Sequence, residues 1–450
     1  MKVTLINTPC GNASTLRDTW YLPLGLVSIA NYIDTRIDVE IIDGIRVGLD
    51  VASKHCDSDI VGLAFNSFNL DELECLAHTA KKNATFVVCG GHAASAVAES
   101  LLKHNRDIDA VVVGDGERAM NELVKTLEGN ADFSSVPNLV YRRNGKIVIN
   151  PREEAPLRHL PMPRRDVGGL VPSDYIAAYT LSSSDPVSAG TRPTNVVTRR
   201  GCPRRAKKQG CSYCARIDKT VRCRTPFQAW EEYRYLSTEL RANYLYEDSD
   251  SWINVKWLAE LADIWEREGG LDVKFRVYGD VRDISPLSVT LLRQLNVDTV
   301  LMGIESGDQK VLIQNGKEFS SNDVERACDL IAKTGIKIAD AYVLGLAGES
   351  WYSIDKTIKL AESVHRICET SATYWNIMLP LPGSPAWNIS SKSIPLSQLF
   401  AGTYRLDTDA VREEFFKSYT QLGDKALDRL KILRANLCQQ SSMLVGEYIR

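Results

Sequence analysis

No apolar run in this chain reaches the roughly 20 residues that a bilayer-spanning helix needs. The opening MKVTLINTPC is a short apolar strand pattern followed by polar residues, so no secretion signal is expected and the compartment expected is the cytosol. Charge of one sign is also lacking. The formal net charge is −3, which gives no global field for nucleic acid or membrane. Internal repeats and low-complexity tracts are absent, which argues against solenoids and disordered tails. The fingerprint GxGxxG is missing, so a nicotinamide or flavin dinucleotide is not supported. What remains is 450 residues of ordinary globular composition, 44% hydrophobic and 25% charged, enough for two or three domains.

Cysteine is not scarce: there are 11. In a large intracellular chain these read as thiols or metal ligands before disulfides. Cys10, Cys56, Cys75, Cys89, Cys328, Cys368 and Cys438 stand alone in apolar or helical contexts and read as ordinary free cysteines. Cys202, Cys211 and Cys214 are different, because RRGCPRRAKKQGCSYCAR places them at C-x8-C-x2-C. Three thiolates can hold three irons of a [4Fe–4S] cluster and leave the fourth open to chemistry. Cys223 extends the pattern to C-x8-C-x2-C-x8-C, so a closed four-sulfur zinc site is the structural alternative.

The first third alternates strands with helices. Lys2–Asn7, Val39–Ile42, Ile60–Phe65, Thr85–Cys89 and Ala110–Val113 read as buried strands, with Leu22–Tyr32, Leu70–Lys82, Ala93–Lys103 and Arg118–Leu127 as helices. That order predicts an α/β, doubly wound, Rossmann-like sheet over residues 1–150, with ligands beyond the strand C-termini. Asn144-Gly145 predicts a hairpin turn. A proline-rich stretch, 151–193, reads as linker. From 194 to 400, six strand-helix units predict a partial TIM-like barrel whose first strand ends at the cysteine loop. Residues 401–450 read as a helical C-terminal segment.

Four further segments accompany the cysteines: Tyr246-Glu247-Asp248-Ser249-Asp250; Met302-Gly303-Ile304-Glu305-Ser306-Gly307 with Gly316-Lys317; Gly345-Leu346-Ala347-Gly348-Glu349-Ser350; and Leu379-Pro380-Leu381-Pro382-Gly383-Ser384-Pro385. In this order they resemble the radical S-adenosylmethionine (SAM) superfamily, in the subgroup with an N-terminal cobalamin-binding-type domain. The usual cysteine spacing there is C-x3-C-x2-C, so the x8 gap is a departure that requires a wider loop. The resemblance implies a [4Fe–4S] cluster on Cys202, Cys211 and Cys214, with SAM as co-substrate. It places Glu305 near the SAM ribose or amine, and Gly345 and Gly348 where backbone approaches the nucleoside. Tyr213 is open to two readings, a surface for adenine or an apolar contact. Glu349 reads foremost as a helix-start carboxylate.

The N-terminal part resembles the cobalamin-binding domain of the same enzymes through Pro23-Leu24-Gly25-Leu26, Asp59–Leu63, Val88-Cys89-Gly90-Gly91-His92 and Val113–Glu117. The resemblance implies cobalamin contacts from Asn66, Ser67, Gly90, Gly91, His92, Gly114 and Gly116. Asn69 shares that strand end, with loop capping as the competing reading. In Asp43-Gly44-Ile45-Arg46-Val47-Gly48, isoleucine occupies the position of the cobalt-ligating histidine in D-x-H-x-x-G. Isoleucine cannot ligate cobalt, so a lower histidine ligand is not expected, and a scaffold-only domain is the alternative.

The implied activity is SAM cleavage and functionalisation of an unactivated carbon, foremost by methyl transfer. Radical cyclisation, oxidation or rearrangement is the second reading, and a non-catalytic zinc or cluster scaffold the third. The expected partners are a small-molecule or peptide substrate and a reductase, flavodoxin or ferredoxin as electron donor. The basic cluster Arg199, Arg200, Arg204, Arg205, Lys207 and Lys208 suggests a solvated loop or local electrostatics before nucleic acid.

Overall fold

The computed structural model describes residues 1–10, 20–83, 85–129, 131–181, 190–207, 210–390 and 409–440. Lys208 and the terminal stretches 401–408 and 441–450, included in the expectations above, lie outside the described residues. The chain divides into two compact units: one of 1–182, 215–218 and 381–407, the other of 183–214, 219–380 and 408–450.

The first unit is a seven-stranded sheet in the order β2-β1-β3-β4-β5-β6-β7. Its strands are β1 Lys2–Asn7, β2 Asp38–Asp43, β3 Ile60–Ala64, β4 Phe86–Gly90, β5 Ala110–Val112, β6 Leu139–Arg143 and β7 Lys146–Ile149. Strands β1 to β5 run parallel, while β6 and β7 are antiparallel additions. Near-continuous apolar runs such as Val3–Ile6 suit strands covered on both faces. Helices Leu24–Tyr32 and Glu117–Glu128 lay Val27, Met120 and Leu123 against Leu5, Ile60 and Val88. The β6–β7 turn is Asn144-Gly145 with φ of 51° and 74°, the left-handed pair of a type I′ hairpin. The chain reverses direction across the sheet between β1 and β3, and that switch point is where such sheets bind ligands.

Residues 151–181 pack on this sheet. Ile41 donates its N–H to the Gly168 carbonyl at 2.8 Å, and a Cβ on Gly168 would sit 2.6 Å from the Ile41 side chain. The stretch contains a helix, Pro172–Leu181, where the sequence suggested irregular chain. Tyr175, Ile176 and Tyr179 bury one face of it, a short stripe that the surrounding prolines obscure.

The second unit is an open, all-parallel sheet in the order β15-β14-β13-β12-β11-β8. The strands are β8 Pro193–Val196, β11 Tyr244–Glu247, β12 Lys274–Gly279, β13 Val297–Glu305, β14 Lys337–Leu344 and β15 Thr370–Ile377. Spatial order follows chain order, which is the topology of a partial barrel. A two-stranded ribbon, β9 Arg199–Arg200 with β10 Arg222–Cys223, brackets the cysteine loop and was not anticipated. Two-residue strands leave no periodicity to detect.

The outer helices begin at well-formed caps. Thr225, Ser285, Ser320 and Ser350 each close a capping box, and Pro226 and Pro286 take the first helical position. Such caps contribute about 1 kcal/mol each. Behind the sheet, Trp230 and Trp265 meet edge to face at 5.5 Å, and Trp252 stacks on Phe275 at 6.0 Å. Phe275 and Val277 therefore point outward, which turns Arg276 and Tyr278 to the inner face.

Candidate functional site

The cysteine loop starts where the first barrel strand ends. Gly201 donates its N–H to Asp250 at 2.9 Å, and Cys202, Cys211 and Cys214 follow, each half-buried. The loop is anchored on the turn that ends the short helix Gln309–Gln314, which follows β13. Ser212 donates its N–H to the Asn315 carbonyl at 3.2 Å and pairs its hydroxyl with Asn315 Oδ1 at 2.5 Å. Asn315, fully buried, donates in turn to the carbonyls of Val311 and Ala347. Gly316 must lack a side chain, because a Cβ there would lie 2.4 Å from the Gly210 carbonyl oxygen and 3.3 Å from Cys211 Cα.

Next to that turn is a buried charge cluster. Lys317 Nζ is 3.2 Å from Glu305 and 3.0 Å from the Gly303 carbonyl. Glu305 ends β13 at φ 69°, an uncommon left-handed conformation for glutamate, and the pairing with β14 shifts register there. A Cβ on Gly303 would collide with the Glu305 carboxylate, so that glycine makes the room. Burial pushes the Cys211 thiol up, and the Lys317 charge opposes that rise. Burial disfavours the Lys317 ammonium, yet Glu305, Cys211 and Asp280 together hold its pKa above the ordinary lysine value. The Tyr213 hydroxyl is buried beside Glu305 and Cys211 without a well-aligned bond to either, while the residue as a whole is half-buried.

The basic spacer braces the loop. Arg204 pairs with Asp283 at 2.8 Å and Asp280 at 3.6 Å, and Arg205 donates to the Cys214 carbonyl at 2.8 Å. Arg199 is buried and donates to the Trp252 carbonyl. Asn315 and Asp280 had no role in the sequence reading, while Lys317 entered it only within the Gly316-Lys317 segment and Arg205 only within the basic cluster. Cys223 sits on β10 opposite Arg199 and is exposed.

Among the described residues no three His, Cys, Asp or Glu side chains gather about a single-ion position. A cubane asks less, because each of its three thiolates takes a different iron. The donor set, a loop pinned at Asn315 and a buried cation beside Cys211 suit such a cluster.

Gly345 and Gly348 have packing reasons of their own. Their missing Cβ positions are filled by Phe416 at 2.4 Å and by the Gln314 amide at 2.1 Å. Glu349 closes the same turn by accepting from the N–H groups of Gly345 and Leu346, while its Oε1 finds no partner, and burial raises its pKa to about 8. Glu247, fully buried at the end of β11, accepts from Thr198, Tyr233 and Ser249. Burial raises its pKa to about 7.

In the first unit the named residues share the C-terminal edge of the sheet. Asn66 and Ser67 follow β3, Gly90 ends β4, Gly91 and His92 start the next helix, and Gly114 and Gly116 follow β5. Asn66 lies beside Cys10 across the switch point, with its amide nitrogen 3.4 Å from the sulfur. Asn69 is buried and ties this loop by accepting from Asn66 N–H and donating to the Thr8 carbonyl. A Cβ on Gly91 would strike the Phe65 carbonyl, on Gly114 the Arg152 guanidinium, and on Gly116 Ile29, whereas Gly90 faces open space. His92 is exposed, and its Nε2 accepts from Arg216 at 3.3 Å. Asp43 accepts from Asn7 at 2.8 Å and from the Tyr175 hydroxyl at 2.9 Å, with Arg46 over the Tyr175 ring.

A B12-binding domain family matches residues 17–124. Among solved structures, the radical SAM methyltransferase TsrM of Kitasatospora setae superposes with a TM-score of 0.71 at 15% identity, covering 87% of this chain and 78% of that one. OxsB, a cobalamin-dependent SAM radical enzyme, gives 0.64 at 14% identity over 98% of this chain and 62% of its own. The chain has the fold of the cobalamin-dependent radical SAM enzymes. Two sequence relatives are methyltransferases by name. An uncharacterized methyltransferase of Pyrococcus horikoshii is 27% identical over 400 residues, 86% of this chain and 82% of the relative. The hopanoid C-3 methylase of Methylococcus capsulatus is 26% identical over 375 residues, 77% of this chain and 63% of the methylase. The cobalamin-dependent radical SAM fold thus accounts for both units. No helix among the described residues is long and apolar enough to cross a membrane.

Proposed function

We propose that this chain is a cobalamin-dependent radical SAM methyltransferase acting on an unactivated carbon of a small molecule. The observation that carries the reading is the joining, in one chain, of a B12-binding domain match over 17–124 to a partial barrel whose first strand leads into Cys202, Cys211 and Cys214. When bound, the cluster supplies the electron that cleaves SAM and cobalamin supplies the methyl carrier.

The residues have separate duties. Cys202, Cys211 and Cys214 hold the cluster, and Asn315 and Arg205 keep their loop in shape. Lys317 places positive charge beside the Cys211 thiol, which favours its thiolate. Glu305, re-aimed by the bulge, presents a carboxylate that suits an ammonium or ribose hydroxyls. Tyr213 flanks the same spot with a ring and a buried hydroxyl. In the first unit, Gly90 is the position where backbone can approach a corrin, with Asn66, Ser67 and His92 as polar neighbours. Ile45 at the histidine position leaves cobalt without that protein ligand. An electron-donor protein completes the proposal.

The test is anaerobic purification with cobalamin, metal analysis, and incubation with methyl-labelled SAM. About four irons and one cobalt per chain, with SAM cleaved to 5′-deoxyadenosine and label transferred, are the expected results. Iron and SAM cleavage without cobalt would redirect the reading to radical chemistry without methyl transfer. One zinc and no iron would overturn it.

A further inference from the structure

The helices Asp409–Tyr419 and Ala426–Gln440 form a pair that belongs to the second unit. Val411, Phe415, Phe416, Leu427 and Leu430 are all buried, and Ala426–Gln440 lies along β15. The pair is therefore packed into the unit rather than laid on its surface. Barrels place ligands at the C-terminal ends of their strands, and the turn Gly345–Glu349 follows β14 at that end.

Contacts from the pair converge on this turn. Phe416 and Leu430 fill the space that a side chain on Gly345 would take. Gly348 donates its N–H to the Tyr419 carbonyl at 2.6 Å, and the Glu349 carbonyl accepts from the Gln421 N–H at 2.7 Å. Just beyond the turn, the Trp351 indole N–H donates to the Leu422 carbonyl at 3.0 Å, and the Arg429 guanidinium lies 3.9 Å from the centre of its ring. Two glycines in five residues leave the backbone many conformations, so neighbouring groups decide which one it takes. The turn also reaches the cysteine loop through one residue, since Asn315 donates to the Ala347 carbonyl at 2.9 Å and holds Ser212.

We propose that the C-terminal helix pair positions the SAM site: Phe416, with the backbone of Tyr419 and Gln421, holds residues 345–349 in the conformation that receives the SAM nucleoside. Phe416 is buried, so it acts through the backbone of the turn and is a positioning residue. The cysteine loop has anchors of its own in Asp250, Asn315 and Arg205, so loosening the pair should weaken SAM binding and leave iron in place. This inference rests on the reading of residues 345–349 as the place where backbone meets nucleoside, which belongs to the proposed function.

The test is calorimetric titration of SAM into full-length, cluster-loaded protein kept oxidised, so that no electron is available to cleave it. Phe416→Ala should bind SAM at least about fivefold more weakly than wild type, with iron content unchanged. Phe416→Leu refills most of the space and should stay within about twofold of wild type. A residue that only supported the fold would lower the unfolding temperature without changing the affinity of protein that is still folded. Trp351→Phe serves as the second variant should Phe416→Ala fold poorly. It removes the bond to Leu422 and keeps an aromatic ring, and a loss of about twofold in affinity is expected. Unchanged SAM affinity in folded Phe416→Ala, or in Trp351→Phe where Phe416→Ala does not fold, overturns the inference. So does an equal loss in Phe416→Ala and Phe416→Leu, or a loss of iron together with affinity, which would make the pair a support of the whole unit. Wild type that holds no iron, or holds iron and binds no SAM, sinks the proposed function and this inference with it. Wild type that binds SAM while the variants bind it equally well sinks the inference alone.

Discussion

Lys317 Nζ stands 3.2 Å from Glu305 Oε1, and both side chains are about nine-tenths buried at the strand end beside Cys211. Glu305 is the ion-pair partner of Lys317, with Asp280 and Cys211 adding to its field, and removing that partner leaves a buried ammonium short of compensation. Glu305→Gln should therefore destabilise the second unit by about 3 kcal/mol. Glu305→Gln with Lys317→Met should recover much of that loss, since two neutral side chains need no compensation. Urea denaturation midpoints of the two single variants and the double variant check the coupling, and additive losses would mean that the pair does not act as a unit.

Asn315 links three things: the cysteine loop through Ser212, its own helix through Val311, and the following loop through Ala347. Asn315→Ala removes those side-chain bonds; Val311 keeps the backbone N–H of residue 315, but the Ser212 hydroxyl and the Ala347 carbonyl lose their Asn315 partner, which costs on the order of 2 kcal/mol. The cluster loop should suffer more than the fold. Iron retained after anaerobic reconstitution and gel filtration should fall well below wild type. The thermal transition should stay cooperative. Full iron retention would show that the loop holds its shape without this anchor.

Cys223 completes a four-cysteine pattern on paper, yet the structure places it on β10 in register with Arg199, exposed at the base of the loop. Cys223→Ala should keep wild-type iron content and the broad cluster absorption. Cys211→Ala should lose both, because Cys211 is the cysteine that Lys317 and Glu305 surround. Loss of iron in Cys223→Ala would make it a ligand.

The fold class of both units and the places of their main strands were legible in the sequence because buried strands announce themselves as apolar runs between helices. The six barrel strands, expected at Asn195–Thr198, Asn243–Glu247, Val273–Tyr278, Thr299–Ile304, Ile336–Leu344 and Tyr374–Met378, lie close to those places, with ends displaced by up to four residues. The β9–β10 ribbon was not legible, because two-residue strands joined across the cysteine loop depend on tertiary contact alone. The helix Pro172–Leu181 was hidden by the prolines around it. At the site, the cysteines and Glu305 were visible as a pattern. Lys317 stood in the same pattern and Arg205 in the basic cluster, but their partners were not legible, and Asn315 was not visible at all, because its bond to Ser212 joins segments about a hundred residues apart. The three glycines Gly345, Gly348 and Gly116 show the converse: a motif glycine can answer to its own protein's side chains.

Glu247 makes stability depend on pH. It is fully buried, and burial outweighs the bonds from Ser249, Tyr233 and Thr198, so its pKa rises from 4.5 to about 7. The folded state therefore holds a proton that the unfolded chain releases earlier. The resulting stabilisation is complete below about pH 4.5 and is lost as pH climbs through about 7. A shift of that size corresponds to roughly 3 kcal/mol across the window. Glu247→Gln cannot titrate, so it should flatten this part of the profile, and its deficit relative to wild type should shrink as pH rises from 5 to about 8. Thr198 precedes the cysteine loop directly, and it bonds to Glu247 through both its N–H and its hydroxyl. The same titration should thus loosen the start of that loop, read as faster iron release to a chelator at pH 8 than at pH 6 in wild type and a smaller difference in Glu247→Gln. Parallel pH profiles for wild type and variant, in both stability and iron release, would show that Glu247 is ionised throughout.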